Sequence, residues 1–414
     1  MLAFDVKTTI AKIRNDMPNG VHVHTGTQTP VTIDDVLDAI QTIGETRTYV
    51  IKTLMAIYVS TFLGKSDPLW LMLVGNPSSN KTTLVDLFQD AEDVYRLDTM
   101  TANPFSSGQR AKEKPVDLLP LIDGKCFMIK EYGTIFGRSD EMVKQLISDL
   151  VAIYDGEYAK HSPTRGTVRY KASFSHIGCV TPMALNKRQR YMDAVGARFL
   201  FLRIQPYSTE EKCQGIARIW SNKSMDKKTA RDVVTKFCLQ LKEKIDTSAS
   251  ITFTDESQSK LNNYAYLIAR ARGIVITDKI TFKNEEGDIQ THYEPSEIQI
   301  EEPFRALKQI KKLAGCLAMV NGNKQIGKDE IEIIRMVTLS SMPVRRADVL
   351  RVFEKQTEVT AKQAAEFLKK NYKTVKRNFD ELVAIGVLSK SKGLNDLAQV
   401  YTPYPKFLEI LTNS

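Results

Sequence analysis

The sequence predicts an α/β fold, followed in the chain by an all-α subdomain and a small helix-turn-helix domain. Three observations carry this. Unbroken apolar runs at Trp70–Val74 and Cys126–Ile129 read as buried parallel strands, because a strand covered on both faces is apolar along its length, and Ser175–Val180 and Phe199–Ile204, each bounded by turn or helix signals, are further strand candidates. Helical periodicities lie among them, at Thr48–Leu63 and Glu141–Tyr154, so strands and helices alternate. After Pro206 the pattern turns helical, and from about Pro343 it changes again.

The elements follow in order. Residues 1–45 are expected to form a short N-terminal segment, with a helix opening at Thr32–Asp35. Residues 46–206 hold the α/β unit. Residues 207–337 hold the helical subdomain, with amphipathic helices at Leu261–Arg272 and Phe304–Val320 and polar loops near Thr247–Ser250 and Asn284–Ser296. Residues 338–414 form the last domain. A chain of 414 residues suits such a multi-part organisation.

Composition narrows the function classes. No apolar run approaches the roughly 20 residues that span a bilayer, and MLAFDVKTTIAKIRND lacks the apolar core of a secretory signal. The five cysteines, Cys126, Cys179, Cys213, Cys238 and Cys316, make no CxxC pair, which argues against a zinc site or a disulfide framework. A cytoplasmic location with no membrane partner is therefore expected. The five histidines mark no metal or nucleophile site; His22 and His24 sit two apart with no third ligand nearby. The net charge of +9 points weakly to a polyanionic partner.

LMLVGNPSSNKTTLVDLF runs strand, polar turn, helix, with the helix expected from Thr82. Such a turn aims successive backbone N–H groups at a phosphate, and the helix dipole adds positive potential. The candidate binding set is Gly75, Asn76, Pro77, Ser78, Ser79, Asn80, Lys81, Thr82 and Thr83. Lys81 would reach the β/γ-phosphates of ATP and the Thr82 hydroxyl would ligate Mg²⁺. Asn80 stands where the strict pattern has its second glycine, and Asn tolerates the left-handed backbone that glycine adopts there. The second strand ends in CFMIKEYG, and Glu131 is placed to polarise an attacking water, while Lys130 occupies a position where a metal-holding Asp is expected.

These motifs, in this order, resemble the minichromosome-maintenance (MCM) branch of AAA+ helicases, over roughly Leu71 to the C-terminus. GNPSSNKT resembles that branch's phosphate loop GDPGxAKS, and FMIKEY resembles LIDEF. GCVTP is similar to the sensor-1 strand, ending here in Thr181–Pro182. GARFLFLRI is similar to the arginine-finger segment and puts the finger at Arg198. PFRALKQIKKLAGCLA resembles the helix carrying the sensor-2 arginine, here Arg305. LVAIYDGEY and GARFL together look closest to MCM-like helicases of phages and mobile elements. The resemblance implies an AAA+ P-loop ATPase core with an all-α lid and a C-terminal winged helix, assembled as a homo-oligomeric ring, a hexamer, on DNA. It implies catalytic roles for Glu131, Thr181, Arg198 and Arg305. The chain departs from cellular MCM proteins in lacking their large zinc-binding N-terminal domain.

Two stretches have the character of DNA-facing elements. In KHSPTRGTVRYKASFSHI a turn is followed by Thr167, Arg169 and Lys171 alternating with Val168, Tyr170 and Ala172, a hairpin with a basic face. In MCM-type rings this hairpin points into the channel, which makes Arg165, Arg169 and Lys171 candidates for phosphate contact; a solvated edge strand is the alternative. At the C-terminus TAKQAAEFLKKNYKTVKRNFDELVAIGVL gives two amphipathic helices, the second capped at Thr374 and ending at Gly386, before a two-stranded wing. Lys373, Lys376, Arg377, Lys390 and Lys392 would meet DNA phosphates, although such domains also dock proteins. The leading expectation is an ATP-driven helicase or translocase. An initiator, loader or remodelling ATPase, or a catalytically weak nucleotide-gated DNA-binding protein, remain the alternatives.

Overall fold

The computed structural model describes residues 30–44, 46–64, 66–101, 104–106, 117–163, 165–188, 198–220, 226–247, 250–283, 289–392 and 398–412. The expectations for residues 1–29, including His22 and His24, and for the basic cluster at Arg110–Lys114 lie outside the described residues. The elements below belong to the unit Val31–Ser414.

Five parallel strands form the central sheet: β1 (Trp70–Val74), β2 (Val94–Leu97), β3 (Cys126–Ile129), β6 (Ser175–Val180) and β7 (Phe199–Arg203). Their order across the sheet is β2-β3-β6-β1-β7, so β1 lies between β6 and β7. The faces alternate as a pleat requires. Leu71, Leu73, Cys126, Met128, Ile177, Cys179, Leu200 and Leu202 pack on one side, in one core with the helices Thr48–Ser60, Lys227–Thr247, Asp255–Ala271 and Phe304–Asn321. Trp70, Met72, Val74, Phe127, Ile129, Val180 and Phe199 pack on the other, against Leu118–Ile122, Tyr132–Phe136 and Asp140–Tyr154. Both faces are covered, which is why Trp70–Val74 and Cys126–Ile129 read as unbroken apolar runs. The fifth, β2, is half-buried along its length and was not expected.

The free edge of β7 is closed by side chains. Ser341 Oγ accepts from Phe201 N at 2.9 Å and Ser340 Oγ from Arg203 N at 3.0 Å, at the end of the helix Lys328–Ser340. Backbone donors that would otherwise remain unpaired are thereby satisfied.

Outside the sheet, β4 (Tyr158–Ser162) and β5 (Gly166–Tyr170) form the expected antiparallel hairpin. The helix at Thr32 is confirmed as Ile33–Gln41, closed by a reciprocal capping box between Thr32 and Asp35. The helical subdomain differs from expectation in one respect: it is not all-α. The stretch after the helix Asp255–Ala271 forms a long antiparallel hairpin, β8 (Ile274–Lys283) with β9 (Ile289–Gln299), in place of a polar loop. Its β-branched run IVITDKITF suits a strand, although Asp278 interrupts the face that carries Ile274, Ile276, Ile280 and Phe282.

The last domain holds two helices, Ala361–Leu368 and Tyr372–Ala384, and a small antiparallel sheet. The strands β10 (Val359–Thr360), β11 (Leu388–Lys392) and β12 (Gln399–Pro403) run in the order β10-β12-β11. The second helix begins earlier than its sequence predicts. Asn371, not Thr374, is the cap, its side chain accepting from the N–H groups of Lys373 and Thr374. The domain's apolar residues, Phe353, Phe379, Leu382 and Tyr401 among them, are continuous with the core under the sheet.

Candidate functional site

The turn after β1 has a backbone of unusual composition. Ser78 and Asn80 both adopt left-handed conformations, at φ 62° and 59°. Asn80 therefore fills the glycine role that its position demands, at the helix that opens with Lys81, one residue earlier than expected. Gly75 is required by close approach: a Cβ there would meet Ser79 Oγ at 2.4 Å and Ile204 Cδ1 at 3.0 Å. Ser79 Oγ is buried and has no hydrogen-bond partner among the described residues. Lys81 is only 5% exposed, and its ammonium donates to the carbonyl of Asn76 at 3.2 Å, within the turn. A buried cation resting on one backbone carbonyl, beside an orphaned hydroxyl, fits an anion that the turn would wrap.

The other expected residues on this edge follow from strand register. Pairing of Met72 with Gly178, and of Gly178 with Ile129, sets Glu131 level with Val180 and Val74. Gly75 N donates to Val180 O at 3.1 Å, tying the turn to the end of β6. Glu131 caps the helix Tyr132–Phe136, accepting from Gly133 N at 2.8 Å. Thr181 likewise caps Pro182–Lys187, accepting from Ala184 N at 3.4 Å. Beneath them Cys179 donates to the Lys81 carbonyl. Burial pushes its thiol up to about 12, with Lys81 and Lys130 pulling it down and Glu131 and Asp86 pushing it up. The carboxyl edge of the sheet thus gathers Gly75–Thr83, Glu131 and Thr181.

Lys130 is turned to a different task. Its ammonium pairs with Asp86 Oδ1 at 3.0 Å and Asp98 Oδ1 at 3.4 Å, and Arg96 also binds Asp86. Asp86 lies on the helix that starts at Lys81, so Lys130 braces that helix against β2 and β3. Among the described residues no cluster of three or more His, Cys, Asp or Glu could hold a metal by itself.

Arg198 and Arg305 stand at the opposite edge. Arg198 directly precedes β7, whose Phe199 pairs with Trp70 at the start of β1. The length of β1, about 16 Å at the usual strand rise, separates that level from the turn at Gly75. Arg198 donates to Asp155 Oδ2 at 2.7 Å, over the Tyr154 ring, and its carbonyl accepts from Gln309. Arg305 lines a cavity of about 490 Å³ with Tyr154, Asp155, Phe304 and Lys308. Burial pushes the Glu301 carboxyl up, and the charges of Arg272, Arg305 and Arg198 oppose that shift.

The basic surfaces divide as well. Arg165 is committed inward: it binds Asp117, which is 3% exposed, through both carboxylate oxygens, and Tyr170 donates to the same group. Arg169 and Lys171 are exposed. In the last domain Lys373, Arg377, Lys390 and Lys392 are exposed, while Lys376 and Lys390 both pair with Asp380 and Arg377 pairs with Glu381. Among the described residues no helix is long and apolar enough to cross a membrane.

A comparison with protein-family models finds none that matches, and a comparison with curated proteins finds no significant relative. The site therefore rests on its own geometry.

Sequence reasoning missed three of its participants. Asp117 is 48 residues from Arg165, and no local pattern announces a partner so distant. Asp86 closes the helix Lys81–Asp86, and no local pattern marks it as the partner of Lys130 and Arg96. Asp155 stood in LVAIYDGEY without a role; the Asp-Gly pair after an apolar helix was the available signal.

Proposed function

We propose that this chain is an AAA+ ATPase of the MCM-like kind, working as a homo-oligomeric ring on DNA, as a helicase or translocase in the replication of a phage or mobile element. One observation carries the reading. The phosphate-type turn with Glu131 and Thr181 lies at one edge of the sheet, and Arg198 with Arg305 lies at the other. Neither edge is a complete phosphoryl-transfer site, because stabilising transition-state charge needs both a cradle and an arginine. Head-to-tail assembly of identical chains brings the two edges together, and a closed ring repeats that contact.

Bound ATP with Mg²⁺ supplies the phosphoryl group and the metal charge. The chain supplies the rest. The turn at Gly75–Asn80 orients the phosphates through backbone N–H groups, and Lys81 neutralises them. Thr82 would hold the metal ion, and Glu131 accepts a proton from water once its capping bond to Gly133 loosens. Thr181 orients the same water. Arg198 and Arg305 of the adjoining subunit meet the γ-phosphate. Arg169 and Lys171 on the β4–β5 hairpin hold DNA phosphates, with the last domain, a winged helix in this reading, as a second basic surface.

The test is ATP turnover with and without single-stranded DNA, followed by strand displacement on a forked duplex. Stimulated turnover with displacement supports the helicase. Lys130 favours a second reading: an ammonium in place of a metal-holding carboxylate suits a slow ATPase acting as initiator, loader or remodeller, which would hydrolyse ATP without displacing a strand.

A further inference from the structure

The five residues Tyr154–Tyr158 join two arginines that the proposed function assigns to different partners. Asp155 holds Arg198 at 2.7 Å. Two residues on, Glu157 stands 3.8 Å from Arg169 on the hairpin. Between them Gly156 is in the left-handed region at φ +96°, with open space where a Cβ would be, so the joint is free of packing on that side.

The hairpin's other attachments are sheltered. Asp117 takes Arg165 and Tyr170 with a side chain 1% exposed, and Asp149 takes Lys160 with a side chain 7% exposed. The Arg169–Glu157 pair, by contrast, is 69% and 59% exposed. An exposed pair at that distance is weak and screened by salt. It is the tie that an approaching polyanion would break first. Arg198 is more sheltered, at 13%, yet Asp155 is half exposed, so this pair also exchanges without unfolding the core.

We infer that Asp155 and Glu157 form one connecting segment, in which Asp155 is a positioning residue for Arg198 and Glu157 is its link to the hairpin. DNA phosphate takes Arg169 from Glu157, the Gly156 joint relaxes, and Asp155 yields Arg198 to the phosphate of the adjoining subunit. This rests on the two-edge reading above. It adds a rest state in which Arg198 is occupied, and a named path by which DNA on the hairpin raises turnover.

Two variants test it. Glu157→Gln in the full chain without nucleotide should tighten binding of a fluorescein-labelled oligo(dT) by about twofold in anisotropy titrations, since Arg169 no longer has a competing carboxylate. Asp155→Asn should raise turnover without DNA by about two- to fivefold and shrink the DNA stimulation ratio by a similar factor. Asp155→Glu, which keeps the charge, should restore the ratio, an outcome that loss of fold does not give. Unchanged oligo(dT) affinity in Glu157→Gln overturns the link. An unchanged stimulation ratio in Asp155→Asn, with unchanged melting, overturns the positioning role. Full turnover in Arg198→Ala would instead sink the two-edge reading itself, whatever Asp155 does.

Discussion

Arg346 and Glu381 are joined in the interior, Nη2 to Oε2 at 3.0 Å, with both side chains 3% exposed. The same guanidinium donates to the carbonyls of Ala271 and Gly273, at the end of the helix Asp255–Ala271. Glu381 lies on the helix Tyr372–Ala384, so the pair staples the last domain to the helical subdomain. Arg270 adds a bond to the Ile385 carbonyl at 2.8 Å, and Arg272 reaches both Ser341 and Phe199 carbonyls. The last domain is built onto the sheet's edge rather than tethered to it.

Breaking that pair from one side strands a charge. Glu381→Ala should destabilise the fold by about 3–5 kcal/mol, because the Arg346 guanidinium stays buried without its counter-ion. The double variant Arg346→Met, Glu381→Leu should recover part of that loss, since both charges leave together while the Ala271 and Gly273 carbonyls lose their donor. Calorimetric melting of the three proteins decides it, and a double variant no more stable than Glu381→Ala would refute the account.

The shared core also dictates how DNA binding by the last domain is tested. Deleting residues after Ser340 would remove Val349, Leu350, Phe353 and Phe379 and strip the apolar side chains they share a core with of their cover. Exposed side chains are the better target. Lys373→Ala and Lys392→Ala together should leave melting unchanged and weaken DNA binding. The slope of log affinity against log salt should fall by about 0.9 for each lost phosphate contact on duplex DNA. An unchanged slope would favour a protein-docking role for this domain.

His176 sets a pH dependence. It is buried between β3 and the Tyr132 ring, with Nδ1 on the Phe127 carbonyl and Nε2 on the Tyr132 hydroxyl. Burial lowers its pKa from 6.5 to about 3, opposed by the Phe127 carbonyl. The folded state holds the neutral ring, so the unfolded chain binds the proton more readily at acid pH. Stability contributed here is complete above pH 6.5 and is lost as pH falls toward about 3, with a limiting slope of about 1.4 kcal/mol per pH unit. His176→Gln should flatten the acid limb of a stability-against-pH curve below pH 6.5. A limb of equal slope in both proteins would remove His176 from the explanation.

How much of this was legible in the sequence depended on burial. Trp70–Val74 and Cys126–Ile129 stand where their apolar runs put them, because a strand buried on both faces favours apolar residues along its length, and Ser175–Val180 stands within the signals that bound it. The strand Val94–Leu97 was missed because it is half-buried and carries Arg96, held by Asp86. The β8–β9 hairpin was missed because its face is solvated, with Ile274 and Ile276 about half exposed, so polar residues masked the alternation. At Asn371 and Thr374 two good capping residues compete. The left-handed Lys369, at φ 51°, ends the preceding helix and brings Asn371 into the cap position, a choice that propensity alone does not make. Lys81 and Glu131 stood out as local motifs at strand ends, while Thr181 came only with the family resemblance. That Arg198 belongs to the other edge needed the strand order.

The strand order makes one prediction that a single-chain active site does not. Lys81 and Arg198 lie at opposite edges of one sheet, so a nucleotide on the Gly75–Asn80 turn is beyond the reach of its own chain's Arg198. Lys81→Ala should abolish turnover by removing the charge that faces the phosphates, and Arg198→Ala should lower it by about 10³-fold, the scale of an arginine supplied between subunits. Neither substitution touches the packed faces of the sheet, so both proteins should melt as the parent does. Mixing them places some intact turns against an intact Arg198 of a neighbour, and turnover should return at those contacts. The recovery should depend on total protein concentration, because the composite site exists only in the assembly. If hydrolysis must proceed around a whole ring, rescue is replaced by poisoning: a small fraction of either variant mixed with parent protein should inhibit more than its share. Turnover that falls in proportion to the variant fraction, with no rescue at any ratio or concentration, would mean that Arg198 acts within its own chain.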